Sequence, residues 1–113
     1  MADIRARLRF LPISAQKVRL VVDLVRGKDA ITALEMLRFV PNRAAQPLLK
    51  LLKSAVANAE ENHGVSRDDL YVATIFADEA PTRKWRRFGA RGRFKPLLRR
   101  SSHVTIVLSE REN

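Results

Sequence analysis

Hydrophobic residues and arginines alternate at the start of the chain, where Ile4 to Phe10 reads I-R-A-R-L-R-F. Ile4, Ala6, Leu8 and Phe10 fall on one face of a strand, with Arg5, Arg7 and Arg9 on the other. Pro12 ends that strand. The period then lengthens. Ser14 is a good N-cap, and Val18, Val21, Val22 and Val25 form one apolar stripe of a helix from about Ala15 to Arg26. Lys17 lies outside the stripe, and Arg26 sits in the last turn, where the helix dipole favours a cation. Gly27 stops the helix. Asp29 caps a second helix to about Phe39, with Ile31, Leu34 and Leu37 inward and Pro41 closing it. Asn42 caps a third and longest helix to about Asn62. Its core positions are Ala45, Leu48, Leu49, Leu52, Ala55, Val56 and Ala59. Pro47, near the start, removes a backbone bond, so the regular helix begins late or kinks there. Gly64 ends it.

Two later segments have strand character. Leu70 to Ala77 (LYVATIFA) is rich in β-branched and aromatic residues. His103 to Ser109 alternates Val104, Ile106 and Leu108 against Thr105, Val107 and Ser109. Between them the chain has no helical stripe, but it has Gly89 and Gly92 near its middle. A long hairpin at about 80–102, with its turn near Gly89–Gly92, is the simplest reading. Its arms would continue the flanking strands and project ~30 Å. Pro96 then needs a non-bonded or irregular place. The fold class is therefore α+β: three helices packed on a small antiparallel sheet, with a protruding basic hairpin. The whole of 1–113 reads as a single domain.

Charge sharpens this picture. The 113 residues carry 22 Lys and Arg against 12 Asp and Glu, a net of +10. Residues 1–79 are near neutral at +2, while 80–109 hold nine basic side chains and no acidic one. An ordinary solvated face mixes signs, so this segment points to a polyanion: nucleic acid first, an anionic membrane second. With no cysteine and with His63 and His103 far apart, no metal site or cofactor is expected. No apolar run approaches the ~20 residues that span a bilayer. MADIRARLRF has no apolar stretch of the kind a secretory signal needs, which leaves a cytosolic or organellar-matrix location.

The basic segment interleaves aromatics with cations. Trp85 stands among Arg83, Lys84, Arg86 and Arg87; Phe88 and Phe94 flank Arg91, Arg93 and Lys95. Cations neutralise phosphates, and rings stack on unpaired bases. Cross-strand packing explains the phenylalanines equally well. Arg5, Arg7 and Arg9 form a second basic strip, and Lys17, Arg19, Arg26 and Lys28 a third patch; either is also compatible with an ordinary wet face. The carboxylate pairs Asp68-Asp69 and Asp78-Glu79 are strand neighbours that point to opposite faces, unsuited to paired acid–base work. Ser102 and His103 lack a nearby acid and a nucleophile elbow, so a hydrolase is a remote third reading. A free-standing RNA- or DNA-binding module is the second.

Several motifs in order resemble one family. They are Ser14-Ala15-Gln16-Lys17-Val18-Arg19-Leu20-Val21 with Val25 to Lys28, then Ser54 to Glu60 with Asn62. Asp78-Glu79-Ala80-Pro81, Ala90-Arg91-Gly92-Arg93 and Arg99-Arg100-Ser101-Ser102-His103-Val104 follow. From about Arg5 to Ser109 the chain resembles the universal L-twenty-two family of large-subunit ribosomal proteins, in bacterial or organellar form. It departs at Ala80, at Lys84-Trp85-Arg86 and at Phe88-Gly89-Ala90. The resemblance implies a non-enzymatic scaffold on a cytoplasmic or organellar ribosome. Its partners would be 23S-type rRNA, other large-subunit proteins and, transiently, the nascent peptide, with no membrane. It implies a role in early subunit assembly and a link to macrolide sensitivity. It adds Ser14, Arg99, Arg100, Ser102 and His103 to the RNA contacts. It makes Phe88, Gly89, Ala90, Arg91, Gly92 and Arg93 a tip lining the peptide tunnel.

Overall fold

The computed structural model of the chain describes residues 3–81, 83–88 and 94–111, with 83–88 and 94–99 described by backbone path and register. The elements in order are β1 (Ile4–Leu11), α1 (Ala15–Val25), α2 (Ala30–Phe39), α3 (Ala45–His63), β2 (Leu70–Glu79), β3 (Arg83–Phe88), β4 (Phe94–Arg99) and β5 (Ser102–Glu110). A 3-10 turn at Arg67–Asp69 leads into β2. One antiparallel sheet has the order β1-β5-β2, and β3 pairs with β4 in a second. The class is α+β, as the periodicity implies.

The core lies between the helices and one sheet face. Val18, Val21, Val22 and Val25 of α1 are all buried, and the helix ends one residue earlier than its pattern suggests. Gly27 then turns at φ 77°, a conformation open to glycine without steric cost. Its N–H donates to Val72 O at 3.0 Å, and Lys28 O accepts the Val72 N–H at 2.9 Å. Asp29 stands at the N-cap of α2 but makes no capping bond. Its carboxylate is taken instead by Arg111 Nε at 2.6 Å. In α2 the inward places go to Ala30, Ala33, Leu34 and Leu37, with Ile31 only half-buried.

Asn42 sits ahead of α3 rather than at its cap. Its Oδ1 accepts the Ala44 N–H and its backbone O the Ala45 N–H, both at 2.9 Å. That turn delays the helix to Ala45, which makes Pro47 its third residue. Amides in a first turn have no intrahelical acceptor, so proline is harmless there. All seven anticipated core residues of α3 are buried, and Leu51 joins them.

Two strands each contain one extra residue. In β1, Leu8 pairs with Val104 and Leu11 with Ser102, so Arg9 and Phe10 together oppose His103. In β2, Val72 pairs with Leu108 and Thr74 with Val107, which leaves Ala73 over. Such bulges shift the inward phase by one residue. Phe10, which strict alternation puts on the same face as Ile4, is therefore 56% exposed, and Leu11 takes the inward place at 6%. Phe10 also has φ 54°, a conformation costing about 1–3 kcal/mol in a bulky residue.

The ladder between β2 and β5 ends at Glu79 with Ser102, followed by Ala80 N–H to Ser101 O at 3.0 Å. Pro81 brings no N–H, so the arm does not simply prolong those strands. Pairing resumes in the separate sheet at Arg83 with Arg99 and runs unshifted to Phe88 with Phe94. Pro96 stands opposite Arg86. The expected turn at Gly89–Gly92 lies outside the described residues.

Candidate nucleic-acid interface

A cleft of about 620 Å³ opens where the start of α1 meets the root of the arm. Ser14, Gln16 and Lys17 line it from α1, Asn42 and Arg43 from the turn before α3, and Glu79 and Arg100 from the arm's root. Three cations against one carboxylate leave it net positive. Its floor adds to that. The Ser14 hydroxyl makes no capping bond, and the first turn of α1 holds no acidic residue. The positive end of the helix dipole is thus unneutralised, and Lys17 places a further cation beside it. An anion with several acceptor oxygens, such as a backbone phosphate, supplies what this end lacks.

The other anticipated RNA contacts are spread around the body. Arg5 and Arg7 are exposed on the sheet face away from the core, opposite Val107 and Thr105. Arg9 leaves that strip at the bulge and lines a second groove against α3. Arg19 and Arg26 reach β2 instead of the cleft. Arg19 Nε and Nη2 donate to Ala77 O at 3.2 and 2.9 Å. Arg26 Nη2 donates to Ile75 O at 3.0 Å, and its Nη1 pairs with Asp23 at 2.6 Å. Lys28 is exposed in the turn held to Val72. Arg83, Lys84, Trp85, Arg86 and Arg87 run along β3, opposite Lys95 to Arg99 on β4. Gly89, Ala90, Arg91, Gly92 and Arg93 lie outside the described residues.

Ser102 and His103 have roles within the fold. Ser102 is fully buried, and its hydroxyl donates to Ile13 O at 3.0 Å. His103 accepts the Phe10 N–H on Nδ1 at 3.0 Å. A backbone N–H can only donate, so Nδ1 is the acceptor in this bond. The serine hydroxyl and that acceptor nitrogen are each committed elsewhere, which removes the nucleophile–base pair a hydrolase needs. Among the described residues no group of three or more His, Asp or Glu is placed to hold a metal. Arg67, at the far end of β2, is held above its ordinary pKa by its hydrogen bond to Glu60.

Arg43 is the cleft cation that sequence reasoning missed. It belongs to no stripe or run, and only the turn before α3 brings it to the cleft.

The family description "Ribosomal protein L22p/L17e" matches residues 6–109. The large ribosomal subunit protein uL22 of Thermoanaerobacter pseudethanolicus is 52% identical over 110 residues, covering 97% of this chain and 99% of the relative. That of Caldicellulosiruptor saccharolyticus is 50% identical over 107 residues, covering 95% and 88%. That of Acetivibrio thermocellus is 49% identical over 107 residues, covering 95% and 86%. Matches that span nearly the whole chain lead to one assignment: the chain belongs to the ribosomal protein L22p/L17e family.

Proposed function

We propose that the chain binds 23S-type rRNA as a structural component of the bacterial large ribosomal subunit and supports its early assembly. In this reading the cleft of Ser14, Lys17, Arg43 and Arg100 holds the RNA backbone at the arm's root. Arg5, Arg7, Arg9 and Lys28 contact it around the body. The arm threads between RNA segments through Arg83, Lys84, Trp85, Arg86, Arg87, Lys95 and Arg99. Its tip, Phe88 to Arg93, helps line the nascent-peptide tunnel and meets the peptide in passing. Other large-subunit proteins are its neighbours. As a member of a family of ribosomal proteins, the chain is not an enzyme.

The observation that carries this reading is the register of the arm. Arg83 stands opposite Arg99 and Arg87 opposite Lys95. Like charges directly opposed destabilise a strand pair, and a bare two-stranded hairpin is marginal in water. Surrounding phosphates would turn both costs into attractions.

The test is co-sedimentation of the tagged chain with large subunits through a high-salt cushion. Stoichiometric, salt-resistant retention is the expected result. A chain that washes off and binds free RNA equally well would be a free-standing RNA-binding module. A density map of the subunit would then place the tip.

A further inference from the structure

Between the bulge of β1 and the first half of α3 runs a groove of about 490 Å³. Leu8, Phe10 and Leu11 wall it on the strand side, Pro47 and Leu51 on the helix side. Arg9 and Lys50 also line it, both exposed, and no carboxylate does.

Phe10 is the informative residue. The bulge turns Leu11 inward and leaves the Phe10 ring more than half exposed, on a backbone in the left-handed region. His103 holds it there, by the hydrogen bond to Nδ1 and by an edge-to-face contact with centroids 4.6 Å apart. Strained residues that persist tend to cluster at binding sites. The fold thus keeps a strained aromatic at the wall of an apolar groove whose only charges are cationic.

We propose that this groove receives one unpaired nucleotide of RNA, its base stacked against Phe10 and its flanking phosphates held by Arg9 and Lys50. The proposal rests on the RNA-binding reading above and adds a place and a chemistry to it. Unpaired bases stack on aromatic side chains irrespective of sequence, and adjacent cations take the phosphates. The volume lies within the ordinary range of small-ligand sites, about 300–1,000 Å³. Charge favours RNA over a protein segment, because the two charged side chains that line the groove, Arg9 and Lys50, are both cations.

Two experiments test it. In the first, large subunits carry the substitution Phe10→benzoylphenylalanine and are irradiated. A crosslink mapped to an unpaired rRNA nucleotide is expected. A crosslink to a ribosomal protein, to paired RNA only, or to nothing overturns the proposal. In the second, the full chain is titrated with two RNA hairpins, one with a single bulged purine and one fully paired. Native protein should prefer the bulged hairpin. Phe10→Leu should weaken that binding about 5- to 100-fold and leave the paired hairpin unchanged, while Phe10→Tyr should retain it. Equal affinity for both hairpins, or no effect of Phe10→Leu in a chain that melts normally, overturns the groove assignment while leaving the RNA reading intact. Native protein that binds neither hairpin and leaves the subunits at high salt overturns that reading as well.

Discussion

Phe10 donates its N–H to His103 Nδ1 at 3.0 Å while their rings meet edge to face at 86°. The ring contact contributes about 0.5–1.5 kcal/mol, set against the cost of the left-handed backbone. Glycine gives up the contact but relieves the strain. Phe10→Gly should therefore unfold within about 1 kcal/mol of the native chain. Phe10→Val, β-branched at the same φ, should lose about 1–2 kcal/mol more than glycine does. Urea unfolding followed by circular dichroism distinguishes the two, and a more stable valine variant would show that the bulge is not strained.

Arg19 and Lys17 are near neighbours on α1 with opposite expected effects. Arg19→Met removes two hydrogen bonds to Ala77 O and should cost about 1–2 kcal/mol. Lys17→Met removes a cation from a first turn and should cost nothing, or stabilise by about 0.3–1 kcal/mol at low salt. In RNA binding the order should reverse, with Lys17→Met the weaker binder. Thermal melting and filter binding on the same preparations check both halves.

Salt dependence locates the phosphate contacts. Each neutralised phosphate adds about 0.7–0.9 to the slope of log affinity against log salt. Replacing Lys17, Arg43 and Arg100 together by Ala should flatten that slope by about 2–3. Replacing Arg83, Arg86 and Arg87 should do the same, and the two effects should add. An unchanged slope in the first set would move the phosphates out of the cleft.

Arm and core should separate in stability. Leu52 is 1% exposed between α3 and its neighbours, and Leu52→Ala should cost about 2–5 kcal/mol by opening a cavity. Deleting Phe88 to Lys95 and closing the strands with a short turn should cost the body under about 1 kcal/mol. The shortened chain should still enter large subunits, with its effect seen in nascent-chain stalling. Normal melting with failed incorporation would mean that the arm is needed for docking.

The helices were legible because each announces itself locally. The valine stripe, the glycines at 27 and 64 and the proline near the start of α3 all act within a turn or two. Strand phase was less legible. Counting by twos from Ile4 puts Phe10 on the same face as Ile4, and nothing in I-R-A-R-L-R-F marks the extra residue that turns it out. Caps misled in another way: Asp29 has the right backbone position, but its carboxylate is claimed by Arg111, 82 residues away. Among the candidate site residues, composition identified the basic arm. It could not separate Lys17, which lines the cleft, from Arg19 and Arg26, whose partners are β2 carbonyls supplied by tertiary packing.

Those β2 carbonyls have a further consequence. The strand lies at the border of its sheet, where an unpaired row of amides and carbonyls is a template for another copy of the chain. Here Ile75 O and Ala77 O are filled by the guanidiniums of Arg26, just past α1, and of Arg19, and Val72 exchanges both its hydrogen bonds with the turn at 27–28. A newly made chain therefore offers little along this border for a second chain to add to. The two arginines that fasten helix to sheet also act as a guard against edge-to-edge aggregation, during the interval before any partner covers the molecule.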